Sequence, residues 1–407
     1  MNFNDKQIIR ALAEQYLAGI DPAERARRIE NWRAINSLRP APPPIYIRAF
    51  AWREAPESQL TCKDSIARDL EHFFRYNLFQ FRFADDMVYN PWRQSGPCFK
   101  TQGWGLNPKL NFANATEGLE AYKMETPIQD YAADLAKLSP PRLQIDEAAT
   151  AEREAITHDL IGDLMPVEIY RGAWTRGWTG DIAMTLGNLR GMENLMTDVY
   201  EEPENLKRLV AFLRDGILSL LDETERAGQL TLLEHSNQAM PYADGLPDPA
   251  PNVRGVAASQ LWHFQAAQEF ALIGPEQHRE FLLEFQKEIF KRYALIAYGC
   301  CEDLTNKISM LREIPNLRRI AVTPFANVAK CAEQIGSDYT ISYRPNPALL
   351  AAGYSKDRLR TKMREDFAAL RANGCIFDVT LKDIETLEGD FSRIDDFIET
   401  VHDLSNH

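Results

Sequence analysis

Two adjacent thiols and two adjacent carboxylates stand together in the run Tyr293-Ala-Leu-Ile-Ala-Tyr-Gly-Cys-Cys-Glu-Asp303. Thiolates and carboxylates are common ligands of divalent metals. The apolar stretch 293–298 reads as a strand buried on both faces and ended by Gly299. Along an extended chain Tyr298, Cys300 and Glu302 share one face, and Gly299 and Cys301 the other, so at most one thiol is expected to face a site. The alternative is that both cysteines pack a strand end as small apolar residues.

Other residues able to do chemistry also fall at the ends of apolar runs. Glu234, His235 and Asn237 follow Leu230–Leu233, and His235 is the one histidine expected at a strand end, a candidate ligand or general base. Lys382, Asp383 and Glu385 follow 375–381. There Lys382 is either a desolvated nucleophile or the ion-pair partner of Asp383 or Glu302. Arg48, Arg93, Arg171 and Arg344 are candidates to hold a carboxylate, because a guanidinium offers a bidentate fork. Tyr343 and Trp92 belong to the same group of expected rim residues. Trp92, Trp104, Trp174 and Trp178 could wall a flat ligand or simply pack loops. His263 lies between Trp262 and Phe264 and is expected to be a core residue.

The elements that must position these groups are eight apolar runs, at 45–50, 86–90, 166–170, 230–233, 293–298, 317–323, 338–344 and 375–381. They alternate with helical segments, and each ends in polar residues. That is the pattern of an α/β chain forming a (β/α)8 TIM barrel, whose reactive residues sit at the C-terminal strand ends. No Gly-x-Gly-x-x-Gly turn or Walker A loop follows any run, so no nucleotide cofactor is expected. Residues 1–44 read as a helical N-terminal extension, with Asp21-Pro22 as a helix start. Residues 91–165, rich in Gly, Pro, Asn and aromatics, read as an insertion after the second strand, a lid over the active-site face. The whole of 1–407 is expected to be one domain.

The chain carries a formal net charge of −13 over 407 residues, which argues against nucleic-acid or anionic membrane surfaces as partners. No apolar run approaches a membrane span and no signal peptide is evident. Six cysteines without regular spacing suggest a reducing compartment, so a cytoplasmic protein is expected.

Several runs resemble the uroporphyrinogen decarboxylase superfamily. They are Tyr298-Gly-Cys-Cys-Glu-Asp-Leu304, Ile314-Pro-Asn-Leu-Arg-Arg-Ile-Ala-Val-Thr-Pro324, Leu381-Lys-Asp-Ile-Glu-Thr386, Glu30 through Pro44, and Tyr200-Glu-Glu-Pro-Glu-Asn205. Tyr-Gly-Cys-Cys-Glu marks a subgroup of that superfamily. The resemblance implies a barrel and one of two chemistries. One is metal-free decarboxylation of a carboxylated substrate. The other is zinc-dependent methyl transfer between a corrinoid or folate and a thiol, shared with cobalamin-independent methionine synthase. The decarboxylase's Arg-Gln-Ala-Gly-Arg run is absent.

The methyltransferases hold zinc through His-x-Cys at one strand end and a Cys at the last. Cys300 matches the first Cys, Tyr298 stands at the His position, and Lys382-Asp383 stands where the last Cys would be. The resemblance thus implies a mixed zinc set of Cys300, Glu302 and His235, with Cys301 and Glu234 as substitutes. Asp383, Lys382 and Tyr298 are the implied catalytic groups. The expected function is methyl transfer involving a small molecule or a corrinoid carried by a separate protein, in a chain that could pair as a homodimer. The alternatives are a metal-free carbon–carbon lyase, in which Asp383, Arg and Tyr groups polarise the substrate, and a non-catalytic corrinoid- or small-molecule-handling protein.

Overall fold

Ten strands occur in the computed structural model, which describes residues 3–96, 98–100, 103–112, 122–172 and 180–405. They are β1 (Ile45–Ile47), β2 (Arg93–Ser95), β3 (Lys109–Phe112), β4 (Tyr122–Glu125), β5 (Val167–Ile169), β6 (Trp262–Gln265), β7 (Leu295–Tyr298), β8 (Leu317–Val322), β9 (Thr340–Tyr343) and β10 (Ile376–Leu381). Six of them form one curled parallel sheet in the order β1-β10-β9-β8-β7-β6, and β2 and β5 form a separate parallel pair. Eight parallel strands are therefore present in barrel sequence, but among the described residues no ladder joins the pair to the sheet. β3 and β4 make an antiparallel hairpin within the expected insertion.

Two of the expected strands differ. Residues 230–233 do not pair into the sheet. Thr231 and Glu234 instead close a capping box around a tight 3-10 turn, Leu232–Glu234. The fourth of the eight parallel strands is β6, 30 residues later. In the 86–90 run, the Asp86 amide donates to the Ile45 carbonyl at 2.7 Å, but the first ladder begins at β2.

The two faces of the six-stranded sheet have different chemistry. Helices such as Lys356–Ala372 and Ser392–Ser405 cover the outer face with Ile, Leu and Phe. The inner face carries a buried polar layer at mid-height. Arg319 on β8 donates to Asp378 on β10 at 2.8 Å and to Asn36 Oδ1 at 2.9 Å. Thr380 and Ser342 also bond Asp378, at 2.6 and 3.4 Å.

The N-terminal extension is two helices, Phe3–Ala18 and Pro22–Asn36, broken where expected: the Asp21 carboxylate accepts from the Ala23 and Glu24 amides. The C-terminal end of the second helix docks on the inner layer. Asn36 bonds Arg319 and also the carbonyls of Met240 and Tyr242, and Thr340 donates to Ile35.

The expected lid is not one loop. The helix Glu147–Ile161 packs with Phe3–Ala18 and Ser65–Gln80 in the layer beside β5. Trp104 is buried against the helix Pro203–Arg226, beside Phe212 and over Gly216. Trp174 and Trp178 lie outside the described residues. Among the described residues no helix is long and apolar enough to cross a membrane.

Candidate functional site

Strand alternation fails at Gly299, and this failure builds the site. Gly299 has φ +96°, a conformation open to glycine but strained for other residues. A Cβ there would lie 2.6 Å from Leu304 Cδ1. Alternation along β7 leaves Tyr298 on the outer face, and the turn after it brings both cysteines, not one, over the mouth of the inner face. Their sulfurs lie 3.6 Å apart. Lys382, just past the end of β10, places its Nζ 3.2 Å from Cys300 Sγ and 3.4 Å from Cys301 Sγ. The Lys382 ammonium also meets Asp383 at 3.1 Å. Arg344, just past β9, donates to the Cys300 carbonyl, and its other terminal nitrogen donates to Gln238 Oε1 at 2.7 Å. The Gln238 side chain also acts to lower the Cys300 pKa.

The electrostatics favour one thiolate shared unequally. Hydrogen bonding from Cys301 pulls the Cys300 pKa down most. Burial opposes this, and Arg344, Lys382 and Gln238 lower it further. The Cys301 thiol moves the opposite way, pushed up by its bond to Cys300, by burial and by the neighbouring negative charge. Burial and Arg344 work against the Lys382 ammonium, but the two sulfurs and Asp383 outweigh them, so its pKa is raised. Other cysteines lack this setting. Burial pushes Cys62 up to about 12 and Cys331 and Cys375 to about 11.

The remaining expected residues are placed as follows. Arg48, just past β1, neighbours Lys382, since its amide donates to the Leu381 carbonyl, and its exposed guanidinium stands 5.9 Å over the Phe50 ring. Tyr298 and Tyr343 face outward, away from the thiols. Tyr298 bonds His278 and Gln286 at 2.9 Å each, and Tyr343 bonds Asp366 at 2.6 Å. Arg93 pairs with Asp69 at 2.7 Å and lies over the Phe73 ring, and Arg171 pairs with Glu147. Trp92 stacks under Arg25. None of these five reaches the cysteines. His263 is buried against Tyr293, with ring centroids 4.2 Å apart, and burial lowers its pKa to about 3.

The residues expected to hold zinc do not converge. Both His235 ring nitrogens are engaged by backbone, Nδ1 accepting from the Trp262 amide at 3.2 Å and Nε2 bonding the Pro247 carbonyl at 3.1 Å. The Glu302 carboxylate is turned to the main chain, accepting from the Ala267 amide at 2.7 Å and the Cys300 amide at 2.8 Å. Glu234 accepts from the Thr231 amide at 3.1 Å. An ammonium stands against both sulfurs. Among the described residues no group of three or more His, Cys, Asp or Glu is arranged to hold a metal ion. The donor set therefore does not fit the implied zinc, and no step is routed through it.

Sequence reasoning missed Gln238. It sits at φ +64°, a left-handed backbone that costs a non-glycine residue about 1–2 kcal/mol. The chain from 238 to 243 descends along the inner face. Gln238 meets Arg344 at the mouth, the Pro241 carbonyl accepts from Trp262 Nε1 at 2.7 Å, and the Met240 and Tyr242 carbonyls reach Asn36 below. Gln238→Asn keeps a residue tolerant of left-handed backbone but is one methylene short of Cys300. It should slow iodoacetamide alkylation of Cys300 at about pH 5 by roughly threefold, as expected for losing one of several groups that favour the thiolate. An unchanged rate would remove Gln238 from the site.

Among solved structures, a methyltransferase from Methanosarcina mazei superposes with a TM-score of 0.52, covering 92% of this chain and 98% of that chain at 8% sequence identity. No family model and no curated protein matches the chain. At that identity the likeness is one of fold, to an enzyme of TIM-barrel type.

Proposed function

We propose that the chain is a methyltransferase in which Cys300 is the nucleophile. One observation carries this above the alternatives. A buried sulfur at a strand end has an ammonium 3.2 Å away, a second thiol 3.6 Å away and a guanidinium on its own carbonyl. A sulfur held as thiolate at neutral pH attacks soft, alkyl carbon readily. Its lone pair forms the new S–C bond, and the donor's leaving group departs with the electron pair of the bond it loses. Arg48, Lys382 and Arg344, each just past the end of one of three adjacent strands, suit a donor whose leaving group is anionic.

The methyl then needs an acceptor more nucleophilic than a thiolate, so that the S–C pair returns to sulfur. A reduced corrinoid on a separate protein is the class of acceptor that meets this need. Zinc remains part of the family resemblance, but the mechanism proposed here uses only the side chains named.

A second reading has its own support. Arg344 Nε is buried and hydrogen-bonds nothing among the described residues, which suits a substrate carboxylate. Carbon dioxide release from a carboxylated substrate, without methyl uptake, would favour it. The test uses methyl sulfate as an anionic methyl donor and maps the product by peptide mass spectrometry. Wild type should gain one methyl at Cys300, and Cys300→Ser should gain none at position 300. Failure of wild type to react faster there than at Cys98 would sink the proposal.

A further inference from the structure

We propose that Cys300 and Cys301 form a two-electron redox couple, closing to a vicinal disulfide when a hydroperoxide oxidises Cys300. This rests on Cys300 being the reactive thiolate, and it adds a role for Cys301 that methyl transfer does not use. Three observations support it. The sulfurs are 3.6 Å apart and already share a hydrogen bond, so closure to a bond of about 2 Å needs side-chain rotation and no movement of separate elements. Cys301 is only partly buried, so an oxidant of hydrogen peroxide's size can approach the pair. Lys382 touches both sulfurs and stabilises whichever carries the negative charge during the exchange.

The chemistry balances as follows. The Cys300 thiolate attacks one peroxide oxygen. An S–O bond forms, the O–O bond breaks, and hydroxide leaves, taking a proton to become water. The Cys301 sulfur then attacks Cys300. The S–S bond forms, the S–O bond breaks, and the departing hydroxide takes the Cys301 proton. The sum is two thiols and one hydrogen peroxide giving one disulfide and two waters.

Neighbouring Cα atoms are about 3.8 Å apart, below the range disulfides usually span, so the bond is strained and easily reduced. It would therefore be reversible, and closing it removes the nucleophile. Lys382 then keeps only Asp383 of its present partners.

The test treats the full-length reduced protein with one equivalent of hydrogen peroxide, quenches, denatures, alkylates with N-ethylmaleimide and maps the peptides. The expected product is a monomer lacking two alkylatable thiols, both in the peptide holding Cys300 and Cys301, and restored by dithiothreitol. Cys301→Ser should stop at the sulfenic acid, seen as a dimedone adduct on Cys300. Dimedone labelling in that variant with no disulfide in wild type would overturn the couple and leave the thiolate reading standing. Neither label nor disulfide would overturn both.

Discussion

Replacing Lys382 with methionine is expected to slow alkylation of Cys300 at about pH 5 by roughly tenfold. An ordinary thiol with a pKa of about 8.5 is less than about 1% thiolate at that pH. Cys300 is shifted down, and the Lys382 charge at 3.2 Å is one of the causes. Removing it leaves Arg344 and Gln238, so the pKa rises only part of the way. The variant's sulfur is also more nucleophilic per thiolate, with a Brønsted slope of about 0.4–0.5, which returns part of the loss. The sign follows from both effects. The deficit should be largest in acid, shrink as pH rises, and vanish or invert as neutral pH is reached. Lys382→Arg keeps the charge and should recover much of the rate. A methionine variant with wild-type kinetics across that range would show that Lys382 does not hold the thiolate.

The second large effect concerns stability rather than chemistry. Arg319 and Asp378 form a wholly buried pair at 2.8 Å, with side-chain exposures of 2% and 0%. Burial pushes the Arg319 pKa down and Asp378 opposes it, so the buried guanidinium has its counter-charge within hydrogen-bond distance. Asp378→Asn preserves shape but leaves a buried guanidinium uncompensated. Breaking such a pair costs about 3–5 kcal/mol. Urea unfolding should read that loss as a lower midpoint at unchanged slope. Replacing both residues by leucine should recover only part of it, because Asn36, Ser342 and Thr380 would lose the partners they bond here. A loss under about 1 kcal/mol for Asp378→Asn would mean that water or another group compensates the charge.

Much of the scaffold was legible because it is written in local pattern. Apolar runs with polar ends marked most of the parallel strands, Asp21-Pro22 marked the helix start, and the thiols and Lys382 lay at predicted strand ends. β6 was missed although Trp262 and Phe264 alternate with His263 and Gln265. Its alternate positions are polar yet buried, and they bond each other at 3.1 Å in a way pattern does not reveal. The face assignment of the cysteines failed because a period of two assumes extended backbone, and Gly299 breaks it. His235 looked like a ligand because its partners, Trp262 and Pro247, are fixed by tertiary structure. Gln238 carries no motif; its role exists only because a chain segment crosses the inner face beside Arg344, 106 residues away.

The most direct measurement is the rate of Cys300 alkylation by iodoacetamide against pH, followed by peptide mass spectrometry from about pH 5.5 to 9. A rate at Cys300 that is nearly level from about pH 6.5 upward is the result expected of a sulfur held as thiolate by Cys301, Arg344, Lys382 and Gln238. A rate at Cys300 that climbs about tenfold per pH unit up to about 8.5 would contradict a preformed thiolate, and with it the nucleophile on which the proposed methyl transfer depends.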